Sequence, residues 1–146
     1  KPLLNSEDLF VSTLMIAIHS LPERLDPNIC KVVVDNTGHA LYFTRAPIPY
    51  NRDYSFVDKS KLVSATKANQ IDLGYKHIGV YAYRKSFLLK FLNMKTTRLE
   101  NMEKLEQLRI LENGYSIKVV ETKKNSIGVD QPNDIARVIK SMNDGS

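Results

Sequence analysis

The sequence predicts one globular domain of the α/β class with a mainly parallel sheet, and two observations support the class and the size. The first is the alternation of patterns in the second half of the chain, where a β-rich run at residues 77–83 precedes helical patterns, a further β-rich run and a last helix start. The second is composition. A length of 146 residues, with 42% apolar and 25% charged residues, suits one globular domain. We therefore treat residues 1–146 as a portion of a single domain.

Three strands are predicted in the first half of the chain. Residues 11–18 are mostly apolar, with only Ser12 and Thr13 polar, which is typical of a buried strand. Residues 30–34 and 40–44 are rich in β-forming residues, and the turn residues between them predict a hairpin. Pro47 and Pro49 cannot donate hydrogen bonds to a sheet and should end the hairpin, and the polar stretch 51–73 predicts a surface loop.

The second half begins with a predicted strand at residues 77–83 and an amphipathic helix at residues 85–92. Thr97 and Glu100 have the spacing of a capping box, which predicts a helix that runs to a left-handed cap at Gly114. On this helix one apolar stripe is expected from Leu99, Met102, Leu105, Leu108 and Leu111. A strand at residues 115–120 follows, and a last helix is predicted to begin near Asp130.

Composition also excludes some classes of protein. The net charge is +5, but the basic residues are spread along the chain and are not interleaved with aromatic residues, so we expect no nucleic-acid partner. The apolar runs are too short to span a membrane, so no membrane association is expected. The single cysteine, Cys30, cannot form an internal disulfide, which favours a reducing, cytoplasmic location. We expect Cys30 to be a small buried apolar residue.

Two groups of residues could bind a ligand in the strand regions. Arg45 ends a strand just before a stiff proline turn, and a fixed guanidinium suits a carboxylate or a phosphate; a bond to a neighbouring carbonyl is the alternative. Strand alternation puts His77, Gly79, Tyr81 and Tyr83 on one face. A histidine and two phenols beside a glycine could face a ligand, although ordinary core packing is the alternative.

Two further positions carry acidic or amide groups. Glu103 and Gln107 are four residues apart, so they should share one helix face, where their oxygens could bind the hydroxyls of a polyol. A solvated charged face explains the same spacing. Asp130 follows a Gly-Val pair at the predicted start of the last helix, where it could hold Mg²⁺ or could simply cap the helix.

The order of these segments resembles the CMP-KDO synthetases, the 3-deoxy-manno-octulosonate cytidylyltransferases of bacteria. The likeness covers nearly the whole chain, and its most specific parts are ALYFTRAPIP at 40–49, HIGVYAYR at 77–84, LEQLR at 105–109 and GVDQP at 128–132. It implies a nucleotide-diphosphosugar-transferase-like, Rossmann-like mixed sheet with flanking helices. It also implies a homodimer that transfers CMP from CTP to the sugar acid KDO, with Mg²⁺, for lipopolysaccharide biosynthesis. The residues implied to bind the sugar acid are Arg45, His77, Tyr81, Glu103 and Gln107, and the implied Mg²⁺ ligand is Asp130.

One part of the family pattern has no counterpart in the sequence. The glycine- and arginine-rich loop that holds CTP in such enzymes, and the acidic motif that would partner Asp130, do not occur in residues 1–146. We therefore expect the fold to be incomplete at the N-terminus and the chain to be active only together with such a segment. Two alternatives stay open: a cytidylyltransferase for a related sugar acid, and an inactive binding or dimerisation module.

Overall fold

Five strands form one mixed sheet in the computed structural model, which describes residues 2–4, 7–52 and 72–123. The order across the sheet is β3-β2-β4-β1-β5. The strands are β1 (Val11–Ala17), β2 (Lys31–Val34), β3 (Ala40–Thr44), β4 (Tyr75–Tyr83) and β5 (Lys118–Glu121). Every predicted strand is therefore confirmed to within a few residues, as is the mixed sheet with flanking helices.

The prediction of a mainly parallel sheet is wrong for the strands that the structure describes. Only β1 and β5 pair in parallel, whereas β1–β4, β2–β3 and β2–β4 are all antiparallel. The physical reason lies in the connections. A tight turn can join only antiparallel neighbours, and the helical segment after β4 leads to β5, which is separated from β4 by β1. Alternation along the chain does not determine which strands become neighbours.

The hairpin of β2 and β3 has a well-defined turn. One carboxylate oxygen of Asp35 accepts hydrogen bonds from the backbone N–H of Thr37 (2.8 Å) and of His39 (2.9 Å). Gly38 has φ of 77°, a conformation that glycine adopts without steric cost. The turn residues that predicted the hairpin therefore form it through an aspartate-centred hydrogen-bond pattern.

The tip of this hairpin also contacts the opposite end of the sheet. The Val119 N–H donates to the Gly38 carbonyl at 2.8 Å, and the Ala40 N–H donates to the Ile117 carbonyl at 2.9 Å. These two bonds flank an antiparallel bridge between His39 and Lys118. The two outermost strands of the sheet, β3 and β5, are thereby joined at this point.

Strand β4 contains a bulge opposite β1. Ser12 pairs with Ala82 and Leu14 pairs with Ile78, so the single residue Thr13 lies opposite residues 79–81 of β4. Extra residues in one strand leave some backbone groups without ladder partners and bend the strand locally. The bulge lies in the segment that was predicted to carry a ligand-binding face.

Four α-helices are described, namely α1 (Leu21–Leu25), α2 (Lys85–Leu92), α3 (Arg98–Glu103) and α4 (Gln107–Glu112), together with a 3-10 turn at Pro2–Leu4. No helix in the described ranges is long and apolar enough to cross a membrane. Phe87 and Phe91 of α2 pack into the core with residues of the sheet and of the α3–α4 segment. The predicted helix at residues 85–92 is confirmed.

The prediction of one continuous helix after Thr97 is wrong. The chain leaves α3 at Lys104, which has φ of 55°, and α4 begins three residues later. Apolar residues spaced by three drift about 60° around a helix at each step, so five of them cannot form a straight stripe. The break resolves this conflict, because Leu108 becomes fully buried while Met102 stays 66% exposed. The predicted left-handed cap at Gly114 is confirmed by its φ of 78°.

Buried charged groups also hold the fold together. The guanidinium of Arg24 in α1 donates to the carbonyls of Ile48, Pro49 and Leu73, and so ties the proline turn to the chain just before β4. In α3, the Glu100 carboxylate accepts two hydrogen bonds from Arg109 of α4, one of them at 2.8 Å from Nε. This pair joins the two short helices across the break at Lys104.

Candidate functional site

His77 in β4 is one of the residues that the sequence analysis singled out for the candidate site. Nε2 of His77 lies 2.8 Å from the hydroxyl oxygen of Thr13, and the ring packs edge-on against Phe43 with centroids 5.0 Å apart. Burial lowers the pKa of His77 to about 4, because the charged imidazolium is disfavoured away from water. At neutral pH the imidazole is therefore uncharged, with one nitrogen able to donate and one able to accept.

Two tyrosines extend this aromatic face along β4. The Tyr81 ring lies 5.3 Å from that of His77 and stacks on Tyr83 at 5.7 Å. Burial raises the pKa of both phenols, so both keep their hydroxyl proton at neutral pH. Gly79 is exposed, and a Cβ there would meet nothing within 4 Å. The rings of His77, Tyr81 and Tyr83 therefore lie side by side along β4, and their role in binding stays a prediction.

Cys30 contacts His77 and Gln107, two of the predicted site residues. Its carbonyl accepts the His77 backbone N–H at 2.8 Å, and its Sγ lies 3.7 Å from the Gln107 side-chain amide. The thiol pKa rises to about 12, chiefly through burial, while the charge of Arg45 opposes this rise and that of Glu103 adds to it. Cys30, which lies just before β2, thus contacts β4 through its carbonyl and α4 through its thiol. Its partial burial agrees with the predicted packing role.

Arg45 and Glu103 are held together by hydrogen bonds in both directions. Nε of Arg45 donates to the Glu103 carbonyl at 2.9 Å, and Nη1 donates to the Pro27 carbonyl at 3.0 Å. In return, the Glu103 carboxylate accepts from the Arg45 backbone N–H at 2.9 Å and from the Thr44 hydroxyl at 2.5 Å. Arg45 therefore does bond neighbouring carbonyls, as the alternative interpretation held, and these bonds also fix the plane of its guanidinium.

Glu103 and Gln107 do not share a helix face, which corrects the geometry that their spacing predicted. Glu103 ends α3, whereas Gln107 begins α4 and is buried beside Cys30. Glu106, the residue before α4, is exposed, and its charge contributes to raising the pKa of Tyr81 and of Tyr83. Glu106 lies within the matched segment LEQLR, although the resemblance implied no role for it.

The predicted Mg²⁺ ligand, Asp130, lies outside the described residues. In the part of the chain that the structure describes, no three side chains of histidine, cysteine, aspartate or glutamate come together as a metal site. The carboxylate of Glu103 is occupied by hydrogen bonds to Thr44 and Arg45. The described residues therefore do not themselves make up a magnesium site.

Comparison with known proteins places this chain in a family. The family model described as cytidylyltransferase matches residues 1–123. The chain belongs to the cytidylyltransferase family.

Within that class, its relatives have a specific name. A 3-deoxy-manno-octulosonate cytidylyltransferase from Geotalea daltonii is 49% identical over 143 residues, which cover 98% of this chain and 55% of that protein. The protein of that name from Geobacter sulfurreducens is 46% identical over 141 residues, covering 97% of this chain and 55% of the relative.

A solved structure agrees in fold. The structure of CMP:2-keto-3-deoxy-manno-octonic acid synthetase complexed with CTP matches with a TM-score of 0.81 and 33% sequence identity. The match covers 99% of this chain and 54% of that one. The predicted nucleotide-sugar-transferase type of fold is confirmed by this likeness. The chain spans about half the length of the relatives that it matches.

Proposed function

We propose that this chain forms the sugar-acid-binding part of a 3-deoxy-manno-octulosonate cytidylyltransferase. The reaction is transfer of CMP from CTP to KDO, which yields CMP-KDO and pyrophosphate for lipopolysaccharide biosynthesis. The observation that carries this proposal is that His77 and Gln107 both contact Cys30 and that the Tyr81 ring lies beside His77, in a chain that is 49% identical to a relative of that name. These residues come from separate parts of the sequence, and folding alone brings them together.

Each side chain has a role that suits a polyhydroxylated acid. A neutral imidazole at His77, a protonated phenol at Tyr81 and the amide of Gln107 can each hydrogen-bond a hydroxyl group without the cost of burying a charge. The Nη2 group of Arg45 donates no hydrogen bond within the described ranges, so it is left to bind the carboxylate of the sugar acid.

Glu103 was predicted to contact the sugar, and that contact stays a prediction. Its carboxylate already holds the strand end at Thr44 and Arg45, so its main contribution is to fix the direction of the Arg45 guanidinium. Glu106 provides a further acceptor beside the phenols of Tyr81 and Tyr83.

The chemistry of transfer requires little from these residues beyond positioning. The anomeric hydroxyl of KDO releases its proton to solvent as its oxygen attacks the α-phosphorus of CTP. The new C–O–P linkage forms, and pyrophosphate leaves with the electrons of the broken P–O bond. Holding the sugar acid in one orientation lowers the entropic part of the barrier. Bound Mg²⁺, held in part by Asp130, would neutralise phosphate charge and lower the pKa of the attacking hydroxyl.

The test is pyrophosphate release from CTP, KDO and Mg²⁺ by the natural protein that carries this sequence. We expect Arg45→Met to raise the KM for KDO at least tenfold, on the order of the loss of one charge-assisted pair. Arg98→Met, which removes an exposed arginine of α3, is the matched control and should leave the KM unchanged. We expect Asp130→Asn nearly to abolish turnover, and a wild-type rate in that variant would refute the proposed metal role.

The same assay separates the alternatives. Turnover with an 8-amino analogue or a nonulosonate, but not with KDO, would favour a related sugar acid as substrate. Binding of KDO without any pyrophosphate release would favour an inactive module. We also propose a cytoplasmic homodimer, which light scattering after size-exclusion chromatography would test by molar mass.

A further inference from the structure

The bulge in β4 creates an unusual environment for Thr13. Its side chain is only 1% exposed, and its hydroxyl oxygen lies 2.9 Å from the carbonyl oxygen of Val80 and 3.1 Å from that of Ile78. Both carbonyls belong to the part of β4 where the ladder with β1 is interrupted. The hydroxyl therefore acts as a donor for backbone acceptors at the bulge.

The same hydroxyl oxygen lies 2.8 Å from Nε2 of His77. A hydroxyl has one hydrogen to donate, and carbonyl oxygens can only accept. If that hydrogen pointed to His77, two carbonyl oxygens would face the lone pairs of the hydroxyl at 2.9 and 3.1 Å with no proton between them. In a buried position this arrangement is costly. Pointing the hydrogen to Val80 or Ile78 leaves only one such contact, and the hydroxyl can then accept from Nε2–H of His77, so this arrangement is favoured.

We propose that Thr13 is a positioning residue that fixes His77 as the Nε2–H tautomer, so that Nδ1 is a hydrogen-bond acceptor for a hydroxyl group of the substrate. Within the described ranges Nδ1 makes no hydrogen bond, and it is not among the fully buried polar atoms that lack partners. In a neutral histidine, the hydrogen bond made by one ring nitrogen decides which of the two nitrogens carries the proton. Thr13 therefore decides whether Nδ1 of His77 can accept a hydrogen bond from a ligand. The identity of the ligand rests on the proposed function, whereas the tautomer does not.

This arrangement makes His77 selective for a donor. An Nδ1 lone pair accepts from a sugar hydroxyl but repels a carboxylate or a phosphate oxygen, which carries no hydrogen. Burial keeps the ring neutral, so it cannot switch to attracting anions at neutral pH. Thr13 and the bulge therefore orient the sugar acid, with the hydroxyl face toward His77 and the carboxylate left to Arg45.

The direct test is ¹⁵N NMR of the histidine side chains at pH 7. The sequence has three histidines, so the His77 signals can be assigned by replacing His19 and His39 one at a time. We expect a protonated Nε2 and an unprotonated Nδ1 for His77. A protonated Nδ1 in the wild-type protein would overturn the proposal whether or not the enzyme assay succeeds.

Two variants of Thr13 then separate positioning from packing. Thr13→Val keeps the shape and removes the hydroxyl, whereas Thr13→Ser keeps the hydroxyl and removes a methyl group. We expect Thr13→Val to shift the tautomer ratio of His77 and to raise the KM for KDO about fivefold with little change in kcat, the scale of one hydrogen bond. The separate variant Thr13→Ser should keep the wild-type tautomer ratio and the wild-type KM.

The outcomes distinguish the positioning role of Thr13 from the proposed function. Equal KM and tautomer effects in Thr13→Ser and Thr13→Val would show that packing alone matters and would overturn the proposal. If Thr13→Val does not fold, the wild-type tautomer and the Thr13→Ser kinetics still decide it. Absence of CTP-dependent turnover would count against the proposed function and would leave the NMR result standing.

Discussion

Lowering the pH should destabilise this protein through one residue, His77. Its imidazole is buried and neutral, and burial lowers its pKa from 6.5 to about 4. In the unfolded chain the same group takes up a proton at its ordinary pKa. Between pH 6.5 and pH 4 the unfolded state therefore binds more protons than the folded state, so the free energy of unfolding falls as the pH falls.

The size of this effect follows from the two pKa values. At pH 7.5 the histidine contributes almost nothing to the difference between the states, whereas at pH 5.0 protonation favours the unfolded state by about 2 kcal/mol. Replacing His77 by glutamine removes the titrating group while keeping a polar side chain of similar size. We expect this variant to lose most of that pH dependence.

The assay is urea unfolding at pH 7.5 and pH 5.0, followed by circular dichroism. Between these two pH values, the wild-type protein should lose about 2 kcal/mol more stability than His77→Gln loses. The controls are single replacements of His19 and His39, which lie outside the aromatic cluster and should retain the wild-type loss. Equal losses in wild type and His77→Gln would refute the buried neutral histidine on which the candidate site depends.

Three further changes test other parts of the structure. Glu100→Gln should lower the free energy of unfolding by about 3 kcal/mol in a denaturant titration, because it leaves the Arg109 guanidinium without its buried partner. Gly114→Ala should lower the free energy of unfolding by about 1 kcal/mol, because Gly114 has a positive φ. Gly74→Ala should lower it more, because Gly74 also has a positive φ and its added Cβ would lie 3.0 Å from a backbone oxygen. Cys30, with a thiol pKa of about 12, should react with iodoacetamide at pH 8 at least about tenfold more slowly than a free cysteine, as measured by intact mass, and KDO should slow it further.

Local patterns were sufficient to find most elements of the fold. The hairpin turn, the strand around His77 and the helix that ends at Leu92 follow from turn residues, alternation and amphipathic spacing. These patterns depend only on residues close together in the sequence. Strand pairing depends on contacts between distant segments, so the antiparallel character of the sheet was not accessible in the same way. The break at Lys104 was missed because a capping box indicates where a helix starts but not where burial ends it.

The sequence was enough to propose which residues form the candidate site, but not which contacts they make. The aromatic face and the position of Arg45 follow from the sequence pattern. The bulge that brings Thr13 to His77 arises from a mismatch between two strands 64 residues apart, which no local spacing records. The pairing of Glu103 with Arg45 likewise depends on where α3 ends.

The bridge between the hairpin tip and β5 has a consequence for how the protein unfolds. The hydrogen bonds of Gly38 and Ala40 to residues 117–119 join segments that are far apart in the chain, so they form only when the elements between them are in place. The amide hydrogens of Ala40 and Val119 should therefore exchange with solvent only in a collective opening, while the free ends of β3 and β5 exchange sooner. The same contact covers part of two sheet edges, which leaves less exposed backbone for unwanted pairing with other chains.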